Sequence, residues 1–242
     1  MSRLRRILLA KYKEHYSQVN VSIDPRLKKP RHLRAMQLMY GELVTRLEEG
    51  SKVLDLGCGT GFLLFWLSKQ KGIIPIGVDV SSSQVEFARQ CLPDIEIHCV
   101  DGLNFLKSKR ETFSGIFCFD VLEHIPTRDA CLEWVEAARD ALKPGGFVYY
   151  RVPNAANLTG CYSRCIDLSH HRIFTRPSII QLMEAGGFSD CMIIPVRAAH
   201  LIGKIRLGIE SLLHRIIYMI CGRGLERVFS KDLYAVGYKD SV

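Results

Sequence analysis

The sequence predicts an α/β fold in which a mostly parallel sheet is covered by helices on both faces. Short, almost continuously apolar segments alternate along the chain with segments whose apolar residues recur every three or four positions. This alternation is the pattern of strands that are each followed by a helix. Because the apolar runs lack the polar alternation of a sheet with one face in water, both faces of the sheet are expected to be buried.

The predicted elements follow one another from residue 32. A first helix is predicted over His32–Glu48, where Leu33, Met36 and Tyr40 recur at helical spacing. The predicted strands are Val53–Leu56, Ile74–Val78, Ile95–Val100, Gly115–Phe119 and Phe147–Val152. The helices between them are Phe62–Lys69, Ser83–Gln90, Leu103–Lys109 and Arg128–Leu142, and a tight turn over Leu142–Gly146 precedes the fifth strand.

The composition indicates one domain and a basic extension. Residues 1–30 form a predicted basic arm, and residues 31–242 form a single domain with a helical insertion at about residues 197–231. The chain is 48% hydrophobic, which is enough to bury a core without disulfide bonds. Its nine cysteines lie mostly in apolar runs, so we expect reduced thiols and a cytoplasmic location. No segment reaches the roughly 18 uncharged apolar residues of a membrane span.

The formal net charge is +8, which favours acidic partners without selecting one. The arm and the residue that follows it contain cations that could form a patch: Arg3, Arg5, Arg6, Lys28, Lys29 and Arg31. A basic stripe interleaved with aromatic residues, as expected for nucleic-acid binding, is missing from the sequence. We therefore do not expect a nucleic acid as a partner.

A glycine-rich turn directly follows the first predicted strand. In VLDLGCGTG, glycines stand at positions 57, 59 and 61, and a helix begins at Phe62. Glycines allow positive φ and close approach of the backbone to a ligand, and the helix start presents free N–H groups to it. The dinucleotide motif G-x-G-x-x-G would need a glycine where Phe62 stands, so NAD and FAD are not expected cofactors.

Acidic residues end the following strands. Asp79 closes the second strand, Asp101-Gly102 follows the third, and Asp120 begins a DVLEH segment after the fourth. Each alone could be a helix cap. Because ligands of parallel sheets bind beyond the carboxyl ends of the strands, their repetition on consecutive strands predicts a ligand site at that edge.

These segments together resemble the class I S-adenosylmethionine-dependent methyltransferases. VLDLGCGTG, Asp79, Asp101-Gly102, FDVLEHIP and LKPGGFVYYRVPN carry the resemblance over about residues 50–155, and the branch of ubiquinone-biosynthesis O-methyltransferases is the most similar. The resemblance implies a Rossmann-like sheet of seven strands whose last strand, near Leu233–Tyr238, is antiparallel. It also implies S-adenosylmethionine as cofactor, with the glycines lining its methionine part, Asp79 holding the ribose and Asp101 the adenine. The expected cofactor-binding residues are Asp55, Gly57, Cys58, Gly59, Thr60, Gly61, Asp79, Val80, Asp101, Gly102 and Asp120.

His124 is the candidate general base, because it follows the fourth strand beside the expected methyl group; the alternative is that it caps the following turn or only shapes the pocket. His170 and His171 are second candidates in a loop after the fifth strand. A metal site is an alternative, since Glu123-His124 resembles the E-x-x-E-H pattern of metal-assisted methyltransferases. Asp120 stands where that pattern has its first glutamate, so no metal ligand is assigned.

The acceptor is the open part of the prediction. The leading hypothesis is O-methylation of a small molecule, a glycan or a lipid-linked intermediate; the alternatives are methylation of RNA or protein, and a scaffold that binds the cofactor without catalysis. The segment Leu201–Cys221 is amphipathic and carries Lys204 and Arg206. We expect it to pack as a lid or a homodimer helix, with peripheral contact to an anionic membrane as the alternative.

Overall fold

A computed structural model describes residues 7, 24–27, 30–223 and 226–241. The described residues form a seven-stranded sheet in the order β3-β2-β1-β4-β5-β7-β6. The strands are β1 Ser51–Leu56, β2 Ile73–Asp79, β3 Glu96–Cys99, β4 Phe113–Phe119, β5 Leu142–Pro153, β6 Ser189–Ile193 and β7 Asp232–Tyr238. The five predicted strands are thus confirmed, with ends that shift by up to five residues.

The strands β1 to β5 pair in parallel, whereas β7 runs antiparallel to both of its neighbours, β5 and β6. The predicted α/β class and the antiparallel last strand are therefore confirmed. Strand β6 was not predicted. Its five residues, SDCMI, lie at the edge of the sheet and are all at least partly exposed; the apolar run that begins at Cys191 is short and is followed by Pro195.

Eight α-helices accompany the strands in the described residues. They are α1 Pro30–Thr45, α2 Phe62–Leu67, α3 Ser82–Cys91, α4 Gly102–Lys107, α5 Arg128–Ala141, α6 Gly160–Cys165, α7 Arg176–Ala185 and α8 Leu201–Ile220. The predicted tight turn over Leu142–Gly146 is instead a bulge within β5. Phe113 of β4 faces Leu142 and Gly115 faces Phe147, so the ladder continues on both sides of the extra residues, with Gly145 at φ 73°.

The two faces of the sheet are covered by different helices. Along β1, Leu54 and Leu56 pack into a core shared with Val135 of α5, whereas Val53 packs with Met36 of α1 on the other face. This division follows from the period of two in a strand, which sends successive side chains to opposite faces. Burial on both sides explains why the strand is apolar without alternation.

Four further predictions concern the basic arm, the cysteines, membrane spans and the helical insertion. Most of the predicted basic arm, including Arg3, Arg5, Arg6, Lys28 and Lys29, lies outside the described residues. All nine cysteines are unpaired, as expected for reduced thiols. Among the helices of the described ranges, none is both long and apolar enough to cross a bilayer. Helix α8 falls within the predicted insertion, and the division into domains stays a prediction.

Candidate functional site

A cavity of about 490 Å³ opens at the carboxyl ends of β1, β2 and β4, between the sheet and α1. This volume suits a small ligand. Nine of the eleven predicted cofactor residues line it: Asp55, Gly57, Cys58, Gly59, Asp79, Val80, Asp101, Gly102 and Asp120. Thr60 and Gly61 belong to the same loop but are not part of the lining. The predicted base, His124, lines the cavity as well.

The glycine-rich turn is bound to strand β2 by its backbone. The N–H groups of Gly57 and Cys58 both donate to the carbonyl of Val78, at 2.8 and 3.0 Å. Gly57 has φ 82°, and a Cβ there would lie 2.4 Å from Cγ2 of Val121. Both the dihedral angle and the close neighbour require glycine at this position. The turn therefore fixes its backbone at the floor of the cavity, and a larger residue at position 57 would not fit.

Asp79 ends β2 inside the cavity. Its Oδ2 accepts the N–H of Gly59 at 2.9 Å, and its Oδ1 accepts the N–H of Ser81 at 2.8 Å. Burial raises the pKa of this carboxyl, although the backbone N–H groups lower it in part. The carboxylate thus joins the glycine-rich turn to the start of α3 and is fixed in orientation.

Asp55 lies in β1, 2% exposed and lining the same cavity. Burial, followed by the negative charge of Asp79, raises its pKa to about 8, while Arg151 opposes the shift. The group is therefore largely protonated at neutral pH in the folded chain.

This shift predicts a stability that depends on pH. An unfolded aspartate titrates near pH 4, so between about pH 4 and pH 8 only the folded chain keeps the proton of Asp55, and this group makes stability fall as pH rises. Asp55→Asn stays neutral and should lose that slope, which is at most about 1.4 kcal/mol per pH unit. Urea unfolding of both proteins across this range tests it; parallel stability curves would contradict the prediction.

Asp101 precedes α4 and caps it. Its Oδ1 accepts the N–H of Asn104 at 3.1 Å. The alternative role of a strand-end acid, that of a helix cap, is therefore present at Asp101. Asp101 nevertheless lines the cavity together with Gly102 and Trp134. A Cβ at Gly102 would lie 2.6 Å from the Trp134 ring, so the indole closes directly over this backbone.

Asp120 binds an arginine of the neighbouring strand. Nε of Arg151 donates to Oδ1 at 2.9 Å, and the second guanidinium nitrogen donates to Oδ2. The guanidinium lies 4.8 Å from the Phe119 ring centre, and Asp120 has φ 55°, which is uncommon for a residue other than glycine. Both residues of this ion pair line the cavity, so the Asp120 carboxylate at the site is already paired with the Arg151 guanidinium.

His124 is positioned by a loop far along the chain. Its Nδ1 lies 2.8 Å from Oγ of Ser169, and that hydroxyl donates to Oδ1 of Asp167 at 2.7 Å. Because a hydroxyl has one hydrogen, Ser169 accepts from His124, which assigns the proton of the neutral ring to Nδ1. The other ring nitrogen, Nε2, is then the acceptor, as a general base requires.

The other two histidine candidates, His170 and His171, lie in different environments outside the cavity. The rings of His124 and His170 lie 4.7 Å apart, and Nδ1 of buried His170 donates to the carbonyl of Ser163 at 2.9 Å. His171 is exposed, and its N–H donates to the carbonyl of Glu123 at 2.8 Å. Neither of the two lines the cavity.

A second grouping adjoins His124. Potential ligand atoms of Glu123, His124 and His170 all lie within 4.8 Å of one another. Glu123 is buried, its Oε2 has no hydrogen-bond partner, and burial raises its pKa well above the usual value, with the charge of Asp120 adding to the shift. The raised pKa favours the neutral form of this carboxyl, which adjoins the rings of His124 and His170. The expectation that these residues do not bind a metal stays a prediction.

Several lining residues were not predicted. Helix α1 contributes His32, Met36 and Tyr40, and the segment after β6 contributes Arg197. Met36 and Tyr40 were recognised as one apolar helix face, yet nothing in their spacing indicates a cavity instead of a core. Ser169 lies beside the histidines that were singled out, but a single hydroxyl carries no signal of its own.

A family comparison agrees with this geometry. The model of a family described as "Methyltransferase domain" matches residues 30–191, about two thirds of the chain. The chain belongs to this family. The resemblance to class I S-adenosylmethionine-dependent methyltransferases is thereby confirmed, and S-adenosylmethionine is the cofactor of this domain type.

Curated relatives point to the same branch. The ubiquinone biosynthesis O-methyltransferase of Coxiella burnetii is 34% identical over 131 residues, which cover 52% of this chain and 53% of the relative. That of Idiomarina loihiensis is 28% identical over 160 residues, covering 60% of this chain and 64% of the relative. The chain thus matches these relatives over about half to two thirds of their length.

Solved structures share the fold. A SAM-dependent methyltransferase from Archaeoglobus fulgidus superimposes with a TM-score of 0.63 at 20% identity, covering 89% of this chain and 97% of that one. Phosphoethanolamine N-methyltransferase 2 of Haemonchus contortus, in complex with S-adenosyl-L-methionine, gives a TM-score of 0.55 at 15% identity, covering 92% of this chain and 60% of that one. At these identities the likeness concerns the fold alone.

Proposed function

We propose that this chain transfers a methyl group from S-adenosylmethionine to a hydroxyl oxygen of a small molecule. One observation carries the proposal. The cavity that is lined by acidic residues and by the glycine-rich turn is also lined by His124. Ser169 and Asp167 assign the ring proton of His124 to Nδ1, which leaves Nε2 as the proton acceptor. A cofactor site and a positioned proton acceptor thus share one space.

The residues of the cavity fit this cofactor. S-adenosylmethionine carries a sulfonium and an ammonium cation, two ribose hydroxyls and an adenine amino group. The carboxyl groups of Asp55, Asp79 and Asp101 open into the cavity, and its floor is the backbone of the glycine-rich turn. Carboxylates accept hydrogen bonds from hydroxyl and amino groups and attract cations. We assign the ribose to Asp79, the adenine to Asp101 and the methionine part to the turn and to Asp55, whose raised pKa falls when the cations of the cofactor lie beside its carboxyl group.

The protein has a limited task in the reaction. When bound, the cofactor supplies a methyl group that is already activated on a sulfonium. His124 accepts the proton of the acceptor hydroxyl at Nε2, which makes the oxygen, already a carrier of lone pairs, a stronger nucleophile. Ser169 and Asp167 hold the ring and stabilise the positive charge that it gains. Met36 and Tyr40 of α1 cover the cavity and exclude water.

The acceptor is expected to be small and partly apolar. Apart from the acidic groups, the cavity is lined by side chains such as Met39, Phe62, Phe119 and Val196. A free small molecule, a glycan unit or a lipid-linked intermediate remain within the proposal. Helix α8, whose apolar side faces away from the sheet, supports peripheral membrane contact. The formation of a homodimer stays a prediction.

Transfer of label from methyl-tritiated S-adenosylmethionine tests the proposed function. The purified chain is incubated with small phenolic and alcoholic acceptors, with an extract of small metabolites, and with RNA and protein in parallel. We expect label in small, base-stable ethers. Label confined to nuclease- or protease-sensitive material would contradict the small-molecule acceptor, and cofactor binding without transfer to any fraction would favour a non-catalytic scaffold.

A further inference from the structure

Helix α8 leaves most of its apolar side chains in solvent. Leu201, Ile209 and Ile220 are 71, 56 and 80% exposed. Seven further side chains of the helix are exposed large hydrophobics: Ile202, Ile205, Leu212, Leu213, Ile216, Ile217 and Met219. The prediction that this segment packs as a lid on the sheet is therefore wrong for its apolar face. Contiguous apolar surface of this kind marks an interaction site.

The opposite side of α8 is fixed by polar contacts. Nε2 of buried His214 accepts the N–H of Leu158 at 2.9 Å, and Tyr218 donates to the carbonyl of Ala156 at 2.8 Å. Glu210 accepts from Nδ2 of Asn157 at 3.0 Å. These bonds attach the helix to the loop after β5 through its polar residues, so the orientation of the apolar side toward solvent is part of the fold.

The charges around the apolar side are cationic. Lys204, Arg206 and Arg215 are exposed on the helix, and none forms an ion pair with a described residue. The helix has one acid, Glu210, which is bound to Asn157. Exposed apolar side chains flanked by Lys and Arg are the features of helices that lie in the interface of an anionic bilayer.

The start of α8 also adjoins the candidate active site. Val196 and Arg197 line the main cavity and a neighbouring groove. The groove combines Arg34, Arg197 and Lys204 with the apolar side chains of Leu38 and Leu207. A surface that binds α8 would therefore also contact this cationic and apolar groove, next to the opening of the cavity.

We propose that α8 docks this chain on an anionic phospholipid surface, with its apolar side inserted among the acyl chains and its cations at the phosphates. Charge complementarity favours this occupant over a second copy, because two copies meeting through α8 would bring their own Lys and Arg residues together. The docking deepens the proposed function by giving an acceptor dissolved in the bilayer direct access to the cavity, yet it does not depend on catalysis.

Sedimentation with vesicles tests the proposal. We expect the purified chain to bind vesicles that contain phosphatidylglycerol and to bind pure phosphatidylcholine vesicles far less. Ile209→Ser and Lys204→Glu should each weaken binding to the anionic vesicles at least about fivefold, and added salt should weaken it further. Lys71→Glu is the matched control, since Lys71 is exposed beside the amino end of β2, at the sheet edge opposite the cavity, and should retain binding.

Calorimetric titration with S-adenosylmethionine and circular dichroism show whether each variant remains folded and competent. Three results would overturn the docking proposal: no binding of the unaltered chain to anionic vesicles, an equal loss with Lys71→Glu, or a concentration-dependent dimer that Ile209→Ser dissociates, which would assign the surface to a second copy. Cofactor binding and methyl transfer are measured without lipid, so failure of docking and failure of the proposed function are distinguishable.

Discussion

The Asp79→Ala variant is expected to lose at least about 100-fold in affinity for S-adenosylmethionine. In the proposed site this carboxylate accepts hydrogen bonds from the ribose, and each hydrogen bond to a charged group contributes about 1.5–3 kcal/mol. Two such bonds correspond to about 3–6 kcal/mol, or two to four powers of ten in the dissociation constant. Calorimetric titration of the purified variant measures the loss.

The same carboxylate supports the local fold, so a control is needed. Asp79→Ala leaves the N–H groups of Gly59 and Ser81 without their present acceptor. Asp79→Asn keeps an amide oxygen for one of them and loses the charge, and we expect it to remain folded with an affinity between the two proteins. Asp94→Ala, an exposed acid outside the cavity, should bind normally. Unchanged affinity in a folded Asp79→Ala would remove the ribose assignment.

The cofactor half of the site was predictable because topology determines it. In a parallel sheet, the residues that end consecutive strands meet at one edge whatever the remaining tertiary structure. Asp79 and Asp101 therefore converge on the cavity as the sequence indicated. Asp120 converges too, but its ion pair with Arg151 depends on the neighbouring strand of the sheet and had no sequence signal.

The acceptor half was less predictable because distant segments build it. Ser169 reaches His124 across 45 residues of sequence, and α1 closes the cavity from before the first strand. Strand β6 was missed although residues 191–194 are apolar, because the run is short and Pro195 follows it directly, which argues against an inner strand. Helix α8 shows the limit of periodicity: its amphipathic pattern was recognised, but a pattern cannot tell whether the apolar side meets the sheet or solvent.

The second large effect is expected at His124. His124→Ala should reduce the rate of methyl transfer by two to four powers of ten, the range that a positioned general base contributes. Affinity for S-adenosylmethionine should change little, because the cofactor is assigned to the carboxylates of β1 and β2 and to Asp101. Single-turnover transfer at saturating cofactor separates the two quantities.

His124→Gln distinguishes chemistry from shape, because glutamine can still bond Ser169 but does not accept a proton at neutral pH. It should be nearly as slow as His124→Ala. Ser169→Ala should keep the base but release its orientation, with a loss of about tenfold, well short of the loss in either His124 variant. A His124→Gln enzyme with an unaltered rate would mean that the imidazole shapes the cavity and that the acceptor loses its proton without help from this residue.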